Sequence, residues 1–251
     1  MSKLFLNLKK DIQNLADPKK AKILQRFFKT SKGEYGEGDI FLGIIVPKQR
    51  GLVKKYWQDV TLADLDKLIK SKIHEERLIA LLILVNKFQK SKISRLHLPS
   101  ARADDGQVNH KSKIFKFYLS HTKYINNWDL VDLSAPNIVG AHLIDKDRTI
   151  LYKLAKSKNL WERRIAILAT FAFIKNKDYK DTLKIAKILL NDRHDLIHKA
   201  SGWMLREMGK RCGEKILTQF LDQNSKQMPR TMLRYTIERL PKKQQQYYLH
   251  K

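Results

Sequence analysis

The sequence predicts an all-α fold, a solenoid of two-helix repeats with a concave basic face. Three observations predict it. Apolar residues recur at three- and four-residue spacings along most of the chain, alternating patterns are hard to find, and one basic-then-apolar motif appears four times. Gly and Pro, ten and six in 251 residues, are too scarce to punctuate a chain of short strands.

The elements follow in order. Leu4, Leu8, Ile12 and Leu15 form a first helical stripe, and Ile23, Leu24, Phe27 and Phe28 a second. Leu62, Leu65, Leu68 and Ile69 make a third, followed by the long apolar run Leu78–Phe88. Ile114, Phe117 and Tyr118 continue the series, then Ile150, Leu151 and Leu154. Helix starts are signalled by Asp17-Pro18, by Thr61-x-x-Asp64 and by Pro229 ahead of Thr231–Leu240.

The repeated motif begins at Glu76-Arg-Leu-Ile, Glu162-Arg-Arg-Ile, Ile197-His-Lys-Ala and Pro229-Arg-Thr-Met. The last three lie about 35 residues apart, a period of two-helix solenoids, which stack into a continuous core and line one concave surface with one helix of each pair. Basic residues near the helix starts are then expected along that surface. The segment 92–112, with Pro99 and Asp104-Asp105-Gly106, reads as a surface loop within a single domain spanning 1–251.

Composition narrows the function. Lys and Arg number 51 against 25 acids, a net of +26, where a small designed domain usually carries about 2–8. Self-repulsion on this scale opposes folding, so a polyanionic partner such as nucleic acid is expected. A monomer is expected for the same reason. The dispersed charge gives no basic amphipathic anchor, and the longest apolar stretches, Ile79–Val85 and Ile165–Ile174, are too short for a bilayer, so no membrane partner is expected. The single Cys212 forms no intramolecular disulfide, and Met1–Asn7 lacks a signal-peptide run, which points to the cytoplasm. His194 and His198 stand four apart without the Glu of a metalloprotease helix, and no phosphate-binding glycine loop or nucleophile elbow occurs. Neither metal nor cofactor is expected.

The informative residues are polar and aromatic. Trp128 and Asp132 share a helix face in Asn126-Asn127-Trp128-Asp129-Leu130-Val131-Asp132. Arg163 and Arg164 open another helix, and Trp203 follows Gly202 in a third. A helix-interior glycine costs about 1 kcal/mol relative to alanine, so Gly202 marks either a close approach or tight helix packing. Taken singly, each tryptophan also fits a helical core, and Asp132 also fits a solvated helix end.

Together these segments resemble the HEAT-like DNA alkylation repair glycosylases, the AlkD family. Tyr35-Gly-Glu-Gly-Asp-Ile-Phe41-Leu-Gly43-Ile-Ile-Val-Pro47-Lys-Gln-Arg50 is similar to the family's Phe-Leu-Gly…Pro…Arg segment. Asn127–Asp132 resembles its Trp–Asp motif and Leu160–Ala166 its arginine motif. Gly202–Glu207 resembles its second tryptophan motif, and Pro229–Tyr235 its closing repeat.

The resemblance implies a glycosylase that hydrolyses the N-glycosidic bond of cationic alkylated purines, 3-methyladenine and 7-methylguanine, in double-stranded DNA during base excision repair. It implies catalytic roles for Asp132, Trp128 and Trp203. Arg164 would bind DNA phosphate, with Arg163 as the neighbouring choice and Arg206 as a second contact. A purine already positive at N3 or N7 needs no general acid to leave. One ionised carboxylate then suffices to stabilise the oxocarbenium-like sugar and orient water. The resemblance further implies that the lesion stays stacked in the duplex. The alternative is a non-catalytic HEAT-repeat scaffold for DNA, which shares the charge and the repeats but has no use for an acid on a DNA-facing surface.

Overall fold

A computed structural model describes residues 2–90 and 102–251, and the side chains of 2–90 and 110–251. Every regular element among them is helical; the closest approach to a sheet is an isolated parallel bridge, Ile40 to Ile73. The chain divides into two compact units, Met1–Ser134 and Ala135–Lys251.

The first unit carries α1 (Lys3–Asn14), α2 (Pro18–Phe27), α3 (Val46–Tyr56), α4 (Leu62–Ile69), α5 (His74–Lys90), α6 (Arg102–Ser120) and α7 (Trp128–Ala135), whose last residue begins the second unit. Helix α5 is its centre, buried on all sides from His74 to Val85, because α3, α4 and α6 pack around it while α1 packs on α3. The predicted starts hold. The Asp17 carboxylate accepts from Lys20 N at 3.1 Å, and Thr61 and Asp64 form a reciprocal capping box on α4.

Two expectations change. The stripe Ile23–Phe28 does not all face a core, since α2 buries no residue and leaves Ile23 67% and Phe27 61% exposed; Phe28 alone is fully inside. The loop expected over 92–112 is helical from Arg102 onward, as the start of α6; the part over 92–101 lies outside the described residues.

In the second unit a π-helical turn, Pro136–Gly140, precedes α8 (Thr149–Ala155), α9 (Leu160–Lys175), α10 (Lys180–Ile188), α11 (Asp195–Cys212), α12 (Glu214–Asn224), α13 (Arg230–Ile237) and α14 (Lys242–His250). Three helices that open with the repeated motif, α9, α11 and α13, lie side by side. Each has a companion from the other set: α8 packs on α9, α10 on both α9 and α11, α12 on α11, and α14 on α13. This alternation is what a two-helix repeat demands, because one amphipathic helix cannot bury its own face.

Gly202 marks the tightest crossing of α11 and α13. A Cβ there would stand 2.6 Å from Met232 O and 2.6 Å from Tyr235 Cβ, so this glycine serves helix packing. Gly202→Ala gains helix propensity but forces the two backbones apart, and is expected to lower stability by about 1–3 kcal/mol. Chemical denaturation of the variant checks this; an unchanged midpoint counts against the close crossing.

Candidate active site

In the first unit the predicted pair Trp128 and Asp132 lies on α7, one turn apart, and both side chains are half-buried. The helix starts here because the Asn127 side-chain oxygen accepts from Trp128 N at 2.8 Å and Asp129 Oδ1 accepts from Leu130 N at 2.8 Å. These acceptors satisfy orphan donors of the first turn. Beneath α7, Tyr118 is fully buried with its hydroxyl 2.9 Å from Ser134 Oγ. Burial pushes the Tyr118 phenol well above its ordinary range, the Ser134 hydrogen bond opposes this, and the negative charge of Asp132 adds to the rise.

Trp128 stacks on the outside of a cluster in which Phe28, Phe41 and the His74 ring all touch one another, Phe28 lying 5.1 Å from His74 at 38°. The Trp128 centroid is 5.1 Å from Phe28 at 15°, Phe28 is 5.0 Å from Phe41 at 21°, and Phe41 is 4.4 Å from the imidazole of His74 at 20°. Phe27 meets Trp128 edge-on at 6.1 Å. Offset stacking and edge contacts of this kind each contribute about 0.5–1.5 kcal/mol, so the indole plane is held by packing.

The inner end of the stack is electrostatically fixed. His74, 2% exposed, sits between two carboxylates, with Nδ1 3.2 Å from Asp39 and Nε2 2.8 Å from Asp129. Arg77 also pairs with Asp39 at 2.6 Å, and Asn126 donates to it at 3.2 Å. Burial pushes the imidazole down, but Asp129 and Asp39 outweigh burial and the opposing Arg77 charge, and hold His74 above the ordinary histidine value. Asp39 lies below its ordinary value, because His74 and Arg77 overcome the upward push of burial. A raised folded value means the stabilisation is full below the unfolded value of about 6.5 and is lost as pH rises through the folded one. Thermal midpoints are therefore expected to fall as pH rises above about 6.5, and to fall less in His74→Gln. Parallel curves for the two proteins would overturn this.

The Phe41-Leu42-Gly43 segment is tied down by Glu75. That buried carboxylate accepts from Leu42 N at 3.0 Å, Gly43 N at 2.8 Å and Ile44 N at 3.1 Å. Gly43 has φ +84°, and a Cβ there would meet Asp17 O at 2.2 Å. Only glycine suits that position.

In the second unit, Trp203 is half-buried on α11, with its ring 6.2 Å from Phe171 of α9. Arg206 follows one turn later and pairs with Glu238. Arg163 pairs with Asp192 at 2.5 Å and donates to Ser157 O at 3.0 Å. Arg77 does the same with Asp39 and with Ser71 O at 2.8 Å. The two arginines lie 86 residues apart and do the same structural work in two copies of the repeat. Arg164 has no counterpart in that scheme; it is 5% exposed and donates to Leu196 O at 2.5 Å. The repeated arginines at helix starts thus hold protein acceptors, where the sequence suggested an exposed basic row.

The support that Phe27, Phe28 and Phe41 give Trp128, and the roles of His74, Asp39 and Asp129, are not legible in the sequence. Aromatic residues at helical spacing read as core, and the histidine's carboxylate partners lie 35 and 55 positions away.

The fold and the α7 pair define an all-helical repeat protein of strong positive charge with an acid beside a packed indole. The sequence matches the family described as DNA alkylation repair enzyme over residues 8–240, and the chain belongs to that family. A solved structure described as a predicted DNA alkylation repair enzyme from Enterococcus faecalis is similar, with a TM-score of 0.62 and 18% identity, covering 90% of this chain and 97% of that one. At that identity the likeness is one of fold. Comparison with curated proteins gives no match.

Proposed function

We propose that the chain is a DNA glycosylase that hydrolyses the N-glycosidic bond of cationic alkylated purines in duplex DNA. The observation that carries this reading is the Trp128–Asp132 pair on one face of α7, with a carboxylate one turn from an indole whose plane is fixed by stacking. Membership of the alkylation repair family and the net charge of +26 support it.

In this reading the alkylated purine leaves as a neutral base, so the enzyme has no proton to deliver. Asp132, ionised, faces the positive charge that develops on the sugar and orients the attacking water. Trp128 and Trp203 offer π faces to the cationic lesion or the C–H edges of its sugar, where cation–π contact contributes about 0.5–2 kcal/mol. Arg163 and Arg206 are the phosphate contacts of this reading, each oriented by an acid, Asp192 and Glu238. Arg164, 5% exposed and bonded to Leu196 O, offers a phosphate less surface than either. The wider positive charge gives salt-dependent, sequence-independent affinity.

The test is release of free 3-methyladenine or 7-methylguanine from methylated duplex DNA. Release well above the spontaneous rate is expected. Tight, salt-dependent binding without release of either base would replace the reading with that of a DNA-binding scaffold.

A further inference from the structure

We propose that His74 is a positioning residue for the Trp128–Asp132 pair, and that its protonated form holds the first turn of α7 and the tilt of the Trp128 ring in the working arrangement. The proposal rests on the glycosylase reading for its kinetic consequence and on geometry for the rest.

An ionised carboxylate only accepts, so a ring between two of them must donate from both nitrogens, and only the imidazolium does so. His74 meets Asp39 through Nδ1 and Asp129 through Nε2. The charged groups facing it are those two acids and Arg77, which pairs with Asp39. Two positive and two negative charges balance, as a buried cluster requires. Loss of the proton turns one nitrogen lone pair toward a carboxylate in a site shielded from water. One of the two contacts then breaks.

Both contacts lead to the candidate site. Asp129 is the neighbour of Trp128 and also accepts from Leu130 N, so it is part of the helix start that carries both residues. The ring of His74 touches both Phe41, at 4.4 Å and 20°, and Phe28, at 5.1 Å and 38°, and Phe28 in turn stacks on Trp128 at 15°. A tilt at the inner end is transmitted through rigid, close-packed rings to the outer one. His74 bonds to Asp39 and Asp129 and lays its ring on Phe41 and Phe28, so it acts on Trp128 and Asp132 through these neighbours.

The test compares wild type, His74→Gln and Asp129→Asn, each checked for helical content, in single-turnover base release between about pH 5.5 and 9. The wild-type rate constant is expected to fall as pH rises through the His74 value. His74→Gln should be about tenfold slower at the low end and flat across the range, with duplex affinity kept within about twofold. Wild-type rates and an unchanged profile in folded His74→Gln would overturn the proposal. Should that variant fail to fold, Asp129→Asn decides: removal of one negative partner should lower the midpoint of the profile by about one pH unit, and an unmoved midpoint is contrary. If wild type releases no base at any pH, the glycosylase reading fails on its own. The positioning claim is then read from the fluorescence difference between wild type and Trp128→Phe. That difference should titrate in the wild-type background and be flat with His74→Gln; a signal flat in both overturns it.

Discussion

Asp132→Asn is expected to lower base release by about 100-fold or more while duplex affinity stays within a few-fold. The amide keeps the size and hydrogen-bonding reach of the side chain and removes only its charge. In the proposed reaction the charge is what matters, because the sugar becomes positive as the base leaves. The ground-state lesion carries its positive charge on the purine, so an anion placed at the sugar favours the transition state over the bound substrate. Binding, carried by many phosphate contacts, should barely notice one lost acid, and relief of repulsion from phosphate even favours it slightly. Single-turnover release and equilibrium binding, measured on the same folded variant, separate the two effects. Equal loss in both would remove Asp132 from the chemistry. Retention of full activity would remove it as well.

Glu75→Ala is expected to cost about 3–5 kcal/mol of stability, because it strands the amides of Leu42, Gly43 and Ile44 in a buried loop, at about 1–3 kcal/mol for each unsatisfied donor less some relaxation. Set against a total stability of about 5–15 kcal/mol for a typical protein, this is a large fraction. Glu75→Gln should lose less, since its carbonyl still accepts one or two of the three bonds while its amide faces the remaining donor. Urea denaturation orders the three proteins; an alanine variant within about 1 kcal/mol of wild type would show that the loop is held by other means. The same loop carries Phe41, so the alanine variant should also loosen the ring stack under Trp128.

Much of this fold can be read along the chain. The stripes of α1 and α4, the Thr61–Asp64 capping box and the family resemblance were legible because each is written within a few neighbouring positions. The motif spacing pointed to helices that pack in series, and α9, α11 and α13 do so. Phe27 was misread because periodicity tells which residues share a face and not what that face meets. Helix α6 was misread as loop because Asp104-Asp105-Gly106 carries turn chemistry. One glycine costs about 1 kcal/mol, which a helix of 19 residues packed on α5 absorbs. At the candidate site, Trp128 and Asp132 were legible as an i, i+4 pair. The residues that orient them were not: Asp39, His74 and Asp129 are brought together only by tertiary packing, and no local pattern announces them.

The side-by-side order of α9, α11 and α13 also bears on how the chain reaches its folded state. Each of these helices meets its partner as soon as the next repeat has been made, so the contacts among the three wait on about one further repeat each. Short-range topology of this kind favours rapid folding and lets structure spread from one repeat to the next. During synthesis each newly completed repeat can therefore dock on the one before it, and its apolar face stays uncovered only for the time needed to translate about one more repeat.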